Sequence, residues 1–276
     1  MNKVTALFLA SRPKTLLVSI CCWLSVSSFA YSKNSFSISV SIWALLLSLC
    51  LQIWANWVND YLDFVNGIDH ALRKGPVRLT KILTPEVMRT SLIIWLAIII
   101  GLTFYLKSFG IVCGLIGIAW CYSASFGLAG EWVTFFACGP LATYMLCGIY
   151  HMHYWHSDLL LTSVINGCWS AALLVANNIR DRISDTQSPK RSSCVWFGSN
   201  WAIMEYQIFI CMCVWCLFYW CIKTTNFWWL TSALLLAPYG FNLCVLSMRA
   251  QTFLLLPTLR FVLRYCTLFS LCALIG

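Results

Sequence analysis

The first group of residues able to do chemistry is rich in asparagine and aspartate and ends a long apolar run. Asn56, Asn59, Asp60 and Asp63 occur at i, i+3, i+4 and i+7. A helix with this spacing stacks all four side chains on one face. The preceding run, residues 34–58, carries no formal charge. The spacing therefore predicts a polar face at the end of an apolar helix.

A second group of the same kind lies far downstream. Asn177, Asp181 and Asp185 are spaced by four residues and follow the uncharged run 159–179. The chain has nine acidic residues, and five of them, including Asp69, lie in residues 56–69 and 177–185, the first and second Asp stretches. Carboxylates in or beside a bilayer are costly unless they face water, a metal or a partner. We therefore interpret the two stretches as halves of one site.

The donor atoms in both stretches favour a hard cation. Neither stretch contains His or Cys, and Mg²⁺ usually takes one or two carboxylates together with phosphate oxygens. The basic residues of the same loops suit an anionic ligand; they are Arg73, Lys74, Arg78, Arg180, Arg182, Lys190 and Arg191. Metal, carboxylates and Arg around a diphosphate stabilise the charge that develops as it leaves. The alternative is that the acids pair with neighbouring bases as solvated helix ends, but two such stretches favour a shared site.

Composition places these stretches in a membrane protein. Of 276 residues, 61% are hydrophobic and 10% are charged, whereas about a quarter of the residues of a soluble protein are charged. The uncharged runs have the length of membrane helices, roughly 20 residues. The basic residues that produce the net charge of +9 flank the apolar runs and do not form one patch. This distribution therefore favours orientation in a lipid bilayer over binding of nucleic acid.

The hydropathy pattern predicts an all-α polytopic protein, a single domain over residues 1–276 with a bundle of nine transmembrane helices. The predicted spans are 15–32, 39–59, 90–106, 109–126, 132–150, 159–179, 204–222, 226–247 and 256–275. Two long polar loops, 60–89 and 180–203, each begin at an Asp stretch. Gly139-Pro140 inside the fifth span predicts a kink.

The distribution of basic residues predicts the orientation of the bundle. With a cytoplasmic N-terminus, three basic residues fall outside, Lys33, Lys107 and Lys223. Thirteen fall on the cytoplasmic side: Lys3, Arg12, Lys14, Arg73, Lys74, Arg78, Lys81, Arg89, Arg180, Arg182, Lys190, Arg191 and Arg249. This is a strong positive-inside bias. The same orientation puts both Asp stretches at the cytoplasmic side, where they can meet.

Taken together, the motifs resemble those of the UbiA-type intramembrane prenyltransferases, a family of nine helices with an NDxxD-type motif after helix two and a DxxxD motif after helix six. The matching residues are Arg12-Pro13-Lys14-Thr15-Leu16, Gln52-Ile53, Asn56, Asn59-Asp60-Tyr61, Asp63, Gly67, Asp69, Gly75-Pro76, Arg78, Gly139-Pro140, Asn177-Asn178-Ile179-Arg180-Asp181, Asp185 and Lys190-Arg191. Within the family they are most similar to the branch that prenylates 1,4-dihydroxy-2-naphthoate in menaquinone synthesis. Pro189 stands where that branch usually has Gly, and the loops after Ser123 and Arg78 are shorter.

The resemblance implies a reaction and a set of residues. Asp60, Asp63, Asp181 and Asp185 would be the catalytic residues and hold Mg²⁺, which binds a polyprenyl diphosphate. The residues expected to bind substrate are Lys14, Asn56, Asn59, Asp69, Arg78, Tyr122, Asn177, Arg180 and Lys190. The dihydroxynaphthoate, or an isomer, would attack the prenyl cation and lose its carboxylate, giving demethylmenaquinol. The site would face the cytoplasm at a bacterial inner membrane, with no obligatory protein partner evident.

Two alternatives to this function stay open. Another acceptor is the first: 4-hydroxybenzoate, homogentisate, haem or geranylgeranylglyceryl phosphate. A transporter is the second, because intramembrane acids also line ion paths; its sites, however, usually lie near the midplane on broken helices. Neither the prenyl chain length nor the oligomeric state follows from the sequence.

Two further clusters are best explained by structural roles. His151, His153 and His156 have spacing that a transition metal could use, but they fall on the outer side among aromatic residues, which favours an interfacial belt. Cys213 and Cys216 form a CxxC inside an apolar run. Packing explains them better than redox chemistry does.

Overall fold

The computed structural model describes residues 3–68, 83–125, 129–154, 156–224, 227–249 and 253–275. Every regular element within those ranges is helical, which confirms the all-α prediction. The helices are α1 (Lys3–Ala10), α2 (Pro13–Ser32), α3 (Ile38–Val65), α4 (Pro85–Tyr105), α5 (Phe109–Ala124), α6 (Gly130–Phe136), α7 (Ala142–Ile149), α8 (Ser157–Asp185), α9 (Ser193–Trp196), α10 (Ser199–Thr224), α11 (Phe227–Arg249) and α12 (Leu255–Ile275).

The predicted spans correspond to the long elements of this set. Eight of them are long and apolar enough to cross a membrane, with α6 and α7 counted as one, and α5 is a shorter apolar helix. Two short helices were not predicted, α1 and α9. The helical backbone is interrupted between α1 and α2 at Arg12, whose φ is +52°. Pro13 then begins α2, a position where its missing N–H is no loss.

The predicted ends of two spans were wrong by about one helical turn or more. The sequence placed Asp60 and Arg180 at the start of loops, but α3 continues to Val65 and α8 to Asp185. At 1.5 Å per residue, the 28 residues of α3 extend about 42 Å, well beyond a hydrocarbon core of about 30 Å. Hydropathy marked where the apolar surface ends, whereas the helices continue into the polar region. Asn56, Asn59, Asp60 and Asp63 consequently lie on α3, and the second Asp stretch lies on α8.

The kink predicted at Gly139-Pro140 coincides with a π-helical turn. The turn spans Ala137–Leu141 and joins α6 to α7; such turns are common in helices at positions where the regular hydrogen bonding is broken. A Cβ on Gly139 would lie 2.5 Å from the carbonyl oxygen of Ser163, and one on Gly167 would lie 2.6 Å from that of Phe135. The two glycines let the backbones of the kinked helix and α8 touch, as small residues do in membrane bundles.

The centre of the bundle is α8, most of whose residues are buried. Trp169 is fully buried and packs edge-on against Tyr265 at 5.6 Å between ring centroids. Asn166 donates a hydrogen bond to Thr143 and accepts one from Ser25. Cys213 and Cys216 are buried and unbridged. The interior around α8 is therefore held together by packing of large side chains and by hydrogen bonds such as those of Asn166.

Candidate active site

The first Asp stretch forms a buried polar face at the end of α3. Asn56, Asp60 and Asp63 are all less than a tenth exposed. The Nδ2 of Asn56 donates a 2.9 Å hydrogen bond to the carbonyl oxygen of Ser11. This bond ties the α1–α2 break to α3, so the predicted i, i+3, i+4, i+7 face packs on the N-terminal segment.

This packing places Arg12 against the first Asp stretch. Its Nη2 lies 2.6 Å from Asp60 Oδ1 and 2.9 Å from Asn59 Oδ1. Burial opposes its charge, but Asp60 and Asp63 outweigh burial and raise the pKa of Arg12. Arg12 is therefore a fixed cation beside these carboxylates.

Sequence reasoning chose Lys14 of the same motif and overlooked Arg12. Lys14 is exposed at the start of α2, and its role in binding substrate stays a prediction. The left-handed turn at Arg12 directs that side chain back onto α3. An Arg immediately before a Pro at a helix start was the available signal.

The second Asp stretch carries its own cations at the end of α8. Arg180 donates two hydrogen bonds to the carboxylate of Asp181, at 2.8 and 2.7 Å, in the bidentate geometry that guanidinium favours. Asp185 is buried, and its Oδ2 lies 3.5 Å from Lys190 Nζ. As at the first stretch, carboxylates contact basic side chains, and here both basic residues, Arg180 and Lys190, were predicted from the sequence.

The two Asp stretches meet at the same end of the bundle. Arg12 is paired with Asp60, and Arg180 is paired with Asp181. The two arginines are close enough to interact electrostatically. Tyr122, at the end of α5, interacts with Asp63 of one stretch and Asp185 of the other. The sequence predicted the convergence of the stretches and also selected Tyr122.

A cavity of about 220 Å³ begins beneath this junction. Its polar wall is formed by Asn56, Asn59 and Arg12 on one side, Asn177 opposite, and Tyr122. Many apolar side chains also line it, among them Val18, Leu51, Leu115, Met145, Leu146 and Leu173, together with the polar side chains of Thr15, Ser19, Ser48, Gln52, Thr134 and Ser170. Such a cavity suits a ligand with a polar head and an apolar body.

The carboxylates can be tested for their fit to a divalent cation. Among the described residues, no three His, Cys, Asp or Glu side chains lie close enough to hold one ion alone. Each stretch instead offers carboxylates in pairs, Asp60 with Asp63 and Asp181 with Asp185. Pairs of hard oxygen donors suit Mg²⁺, which completes its shell with phosphate oxygens and water. The predicted residues Asp69 and Arg78 lie outside the described residues.

At the opposite end of α8, a carboxylate forms an ion pair with a lysine. Asp158 contacts Lys223 Nζ and lies 3.2 Å from His156 Nδ1. His151 and His153 precede this helix start, and His151 has a φ of +56°. The histidines thus lie around the ion pair of Asp158 and Lys223 at the N-terminal end of α8.

Comparison with known proteins places the chain among membrane prenyltransferases. The UbiA prenyltransferase family model matches residues 17–253. The chain belongs to the UbiA prenyltransferase family. It is similar to a Mycobacterium tuberculosis protein named 1,4-dihydroxy-2-naphthoate octaprenyltransferase, with 34% identity over 59% of this chain and 60% of that protein. A Mycobacterium leprae protein of the same name is 30% identical over 71% of each chain.

Solved structures of the family share this fold. A UbiA homologue from Aeropyrum pernix superposes with a TM-score of 0.73 at 11% identity, over 94% of this chain and 97% of that one. A UbiA homologue from Archaeoglobus fulgidus, bound to DMAPP and Mg²⁺, gives 0.70 at 15% identity, over 96% and 97%. At these identities the likeness concerns the fold.

Proposed function

We propose that this UbiA-family chain transfers a prenyl group from a polyprenyl diphosphate to 1,4-dihydroxy-2-naphthoate or an isomeric dihydroxynaphthoate, with loss of the acceptor's carboxylate. The observation that carries the proposal is the cavity beneath the two Asp stretches. Its polar wall takes residues from both stretches, and most of the rest of its lining is apolar. The acceptor is proposed because the relatives from both mycobacteria carry that name.

Asp60, Asp63, Asp181 and Asp185 would hold Mg²⁺, which would supply electrophilic stabilisation of the leaving diphosphate. The homologue from Archaeoglobus fulgidus, solved with DMAPP and Mg²⁺, supports this assignment by analogy. The paired carboxylates support it by their donor chemistry.

The remaining charged residues would bind the anionic head group and the acceptor. Arg180 and Lys190 already lie against the second Asp stretch, and Arg12 lies against the first. When a diphosphate enters, these cations can exchange a carboxylate for a phosphate oxygen without leaving the site. Lys14 and Arg78 are proposed for the same task from their place in the motifs.

Neutral side chains would position the substrates and shelter the allylic cation. Asn56, Asn59 and Asn177 line the polar wall and present amides to the head group. Tyr122 also lines the cavity, where an aromatic face can stabilise a nearby cation. The apolar walls would exclude the water that otherwise quenches the cation.

The positive-inside bias supports a cytoplasmic active site in a bacterial inner membrane. Asp60 and Asp181 would then lie at the cytoplasmic mouth of the site, the place where the two Asp stretches meet. The diphosphate head of the substrate would reach them from the membrane surface while its prenyl tail stays in the bilayer. No protein partner is proposed.

Membranes that contain the chain, incubated with labelled polyprenyl diphosphate, Mg²⁺ and a panel of aromatic acceptors, test this function. We expect a labelled lipid product with the dihydroxynaphthoate and its loss on chelation of Mg²⁺. Product formed only with hydroxybenzoate, homogentisate or another acceptor would overturn the acceptor assignment. No labelled product with any acceptor would overturn prenyl transfer and favour the transporter.

A further inference from the structure

Two carboxyl side chains lie behind the second Asp stretch and have no part in the proposed reaction. Glu131, in the first turn of α6, is fully buried, and Glu205 of α10 is 4% exposed. Ser193, the first residue of α9, lies between them. Its Oγ is 2.7 Å from Glu131 Oε1 and 2.6 Å from Glu205 Oε2. Three helices therefore meet at one hydroxyl.

The proton count at this hydroxyl requires a protonated carboxyl. A serine hydroxyl has one proton, so Ser193 can donate to only one of the two glutamates. The other short contact needs a proton from the carboxyl itself. Two ionised carboxylates at the same buried hydroxyl would also repel each other, which favours protonation of one of them.

The other hydrogen bonds identify which glutamate holds the proton. Glu131 Oε1, the oxygen that faces Ser193, also accepts a 2.8 Å hydrogen bond from Asn178 Nδ2, so this oxygen already acts as an acceptor. The donor Trp132 Nε1 contacts the other oxygen of Glu205, Oε1, at 3.2 Å, so Glu205 Oε2 is the oxygen placed to carry the proton toward Ser193. Glu205 then donates to Ser193, and Ser193 donates to Glu131.

We propose that Glu205 stays protonated and that Glu205, Ser193, Glu131 and Asn178, the carboxyl relay, act together as positioning residues for the second Asp stretch. Asn178 adjoins the cavity residue Asn177 and lies three residues before Asp181 on α8. The relay anchors this end of α8 to α6, α9 and α10. The part of the proposal that concerns activity rests on the proposed function, whereas the shared proton does not.

The charges around the relay agree with a single anion. Arg182 of α8, Asp185 of α8 and both glutamates act on Cys194 of α9, and Tyr122 of α5 faces Glu131. Burial raises the pKa of Cys194 to about 11, so its thiol is neutral. Asp185 lies beside Lys190, and Arg182 is the basic residue that acts on Cys194 together with both glutamates.

Infrared difference spectra, wild type minus variant, of the purified protein in nanodiscs test whether Glu205 carries the proton. We expect the carbonyl band of a protonated carboxyl to be present in the wild type and absent in Glu205→Gln. Glu131→Gln should remove a carboxylate band instead. Glu86→Gln, an exposed acid-to-amide control in the first turn of α4, should also remove only a carboxylate band. No protonated band lost in Glu205→Gln, or its loss in Glu131→Gln alone, would overturn the assignment.

Activity tests the positioning role through rescue by the conservative variant. The amide of Glu205→Gln can still donate to Ser193 and accept from Trp132, so its kcat should stay near that of the wild type. Glu205→Ala breaks the relay, and we expect a loss of about 10–100-fold, as for outer partners of a metal site. Thermal unfolding of each variant checks folding. Equal losses in the Gln and Ala variants would contradict positioning by the hydrogen bonds, whereas an inactive wild type would contradict the proposed function and leave the infrared result standing.

Discussion

The two ends of α8 carry carboxylates in different surroundings. At the N-terminal end, Asp158 pairs with Lys223 and lies beside His156. At the other end, Asp181 and Asp185 have basic partners as well, but they also lie near the first Asp stretch, beside a cavity that asparagines of both stretches line. An ion pair alone is therefore no mark of function. What distinguishes the second end is that acids from two distant helices share one mouth.

The largest effect should come from removing a carboxylate at that mouth. Asp60→Asn or Asp181→Asn keeps the side-chain shape but removes a proposed metal ligand. We expect prenyl transfer to fall by more than about 100-fold, because even outer partners of metal sites cost 10–100-fold. Asp158→Asn, on the same helix as Asp181, is the matched control. An Asp181→Asn enzyme as active as Asp158→Asn would remove the distinction between the two ends.

Arg12 tests whether the first Asp stretch needs the cation that the fold delivers to it. Arg12→Ala leaves Asp60 without its 2.6 Å partner, and we expect a loss of activity of roughly 10–100-fold, in the range of outer partners of metal sites. The exposed Lys14 provides the comparison. Steady-state kinetics should show a smaller loss for Lys14→Ala, and the reverse order would favour the residue chosen from the motif over the one in contact.

The middle of α8 fixes how its two ends face their neighbours. A Cβ at Gly167 would lie 2.6 Å from the Phe135 carbonyl oxygen, so Gly167→Ala must push the kinked helix away. We expect destabilisation of about 1–3 kcal/mol, measured by thermal unfolding in detergent. Gly148→Ala, where a Cβ meets nothing within 4 Å, should be neutral or slightly stabilising. Similar melting temperatures for both variants would show that the close contact is not limiting.

The smallest effect should appear at the Asp158 end of α8. Lys223→Met removes a half-exposed partner of Asp158, and pairs of this kind contribute about 0–1 kcal/mol. Activity should be unchanged, and the small loss of stability should shrink as salt is added. A salt titration of the melting temperature measures this effect on stability. A loss of activity would mean that the Asp158 end of α8 also serves the site.

Much of this arrangement followed from the sequence because its spacing is local. The four-residue intervals that put Asn59 and Asp63 on one face of α3 are visible without a fold, as are the apolar runs. Arg12 was missed because its direction depends on a left-handed backbone turn. Glu131 and Glu205 were assigned no role because each acid is isolated in the sequence. Only packing of α6, α9 and α10 places Ser193 between them.

The most direct test of the central claim is an experimental structure with Mg²⁺ and a non-reactive prenyl diphosphate analogue. The account predicts one diphosphate bridged through metal to both Asp60 of α3 and Asp181 of α8, with metal–oxygen distances of about 2.0–2.1 Å. A diphosphate bound by one Asp stretch alone, or at the Asp158 end of α8, would contradict it.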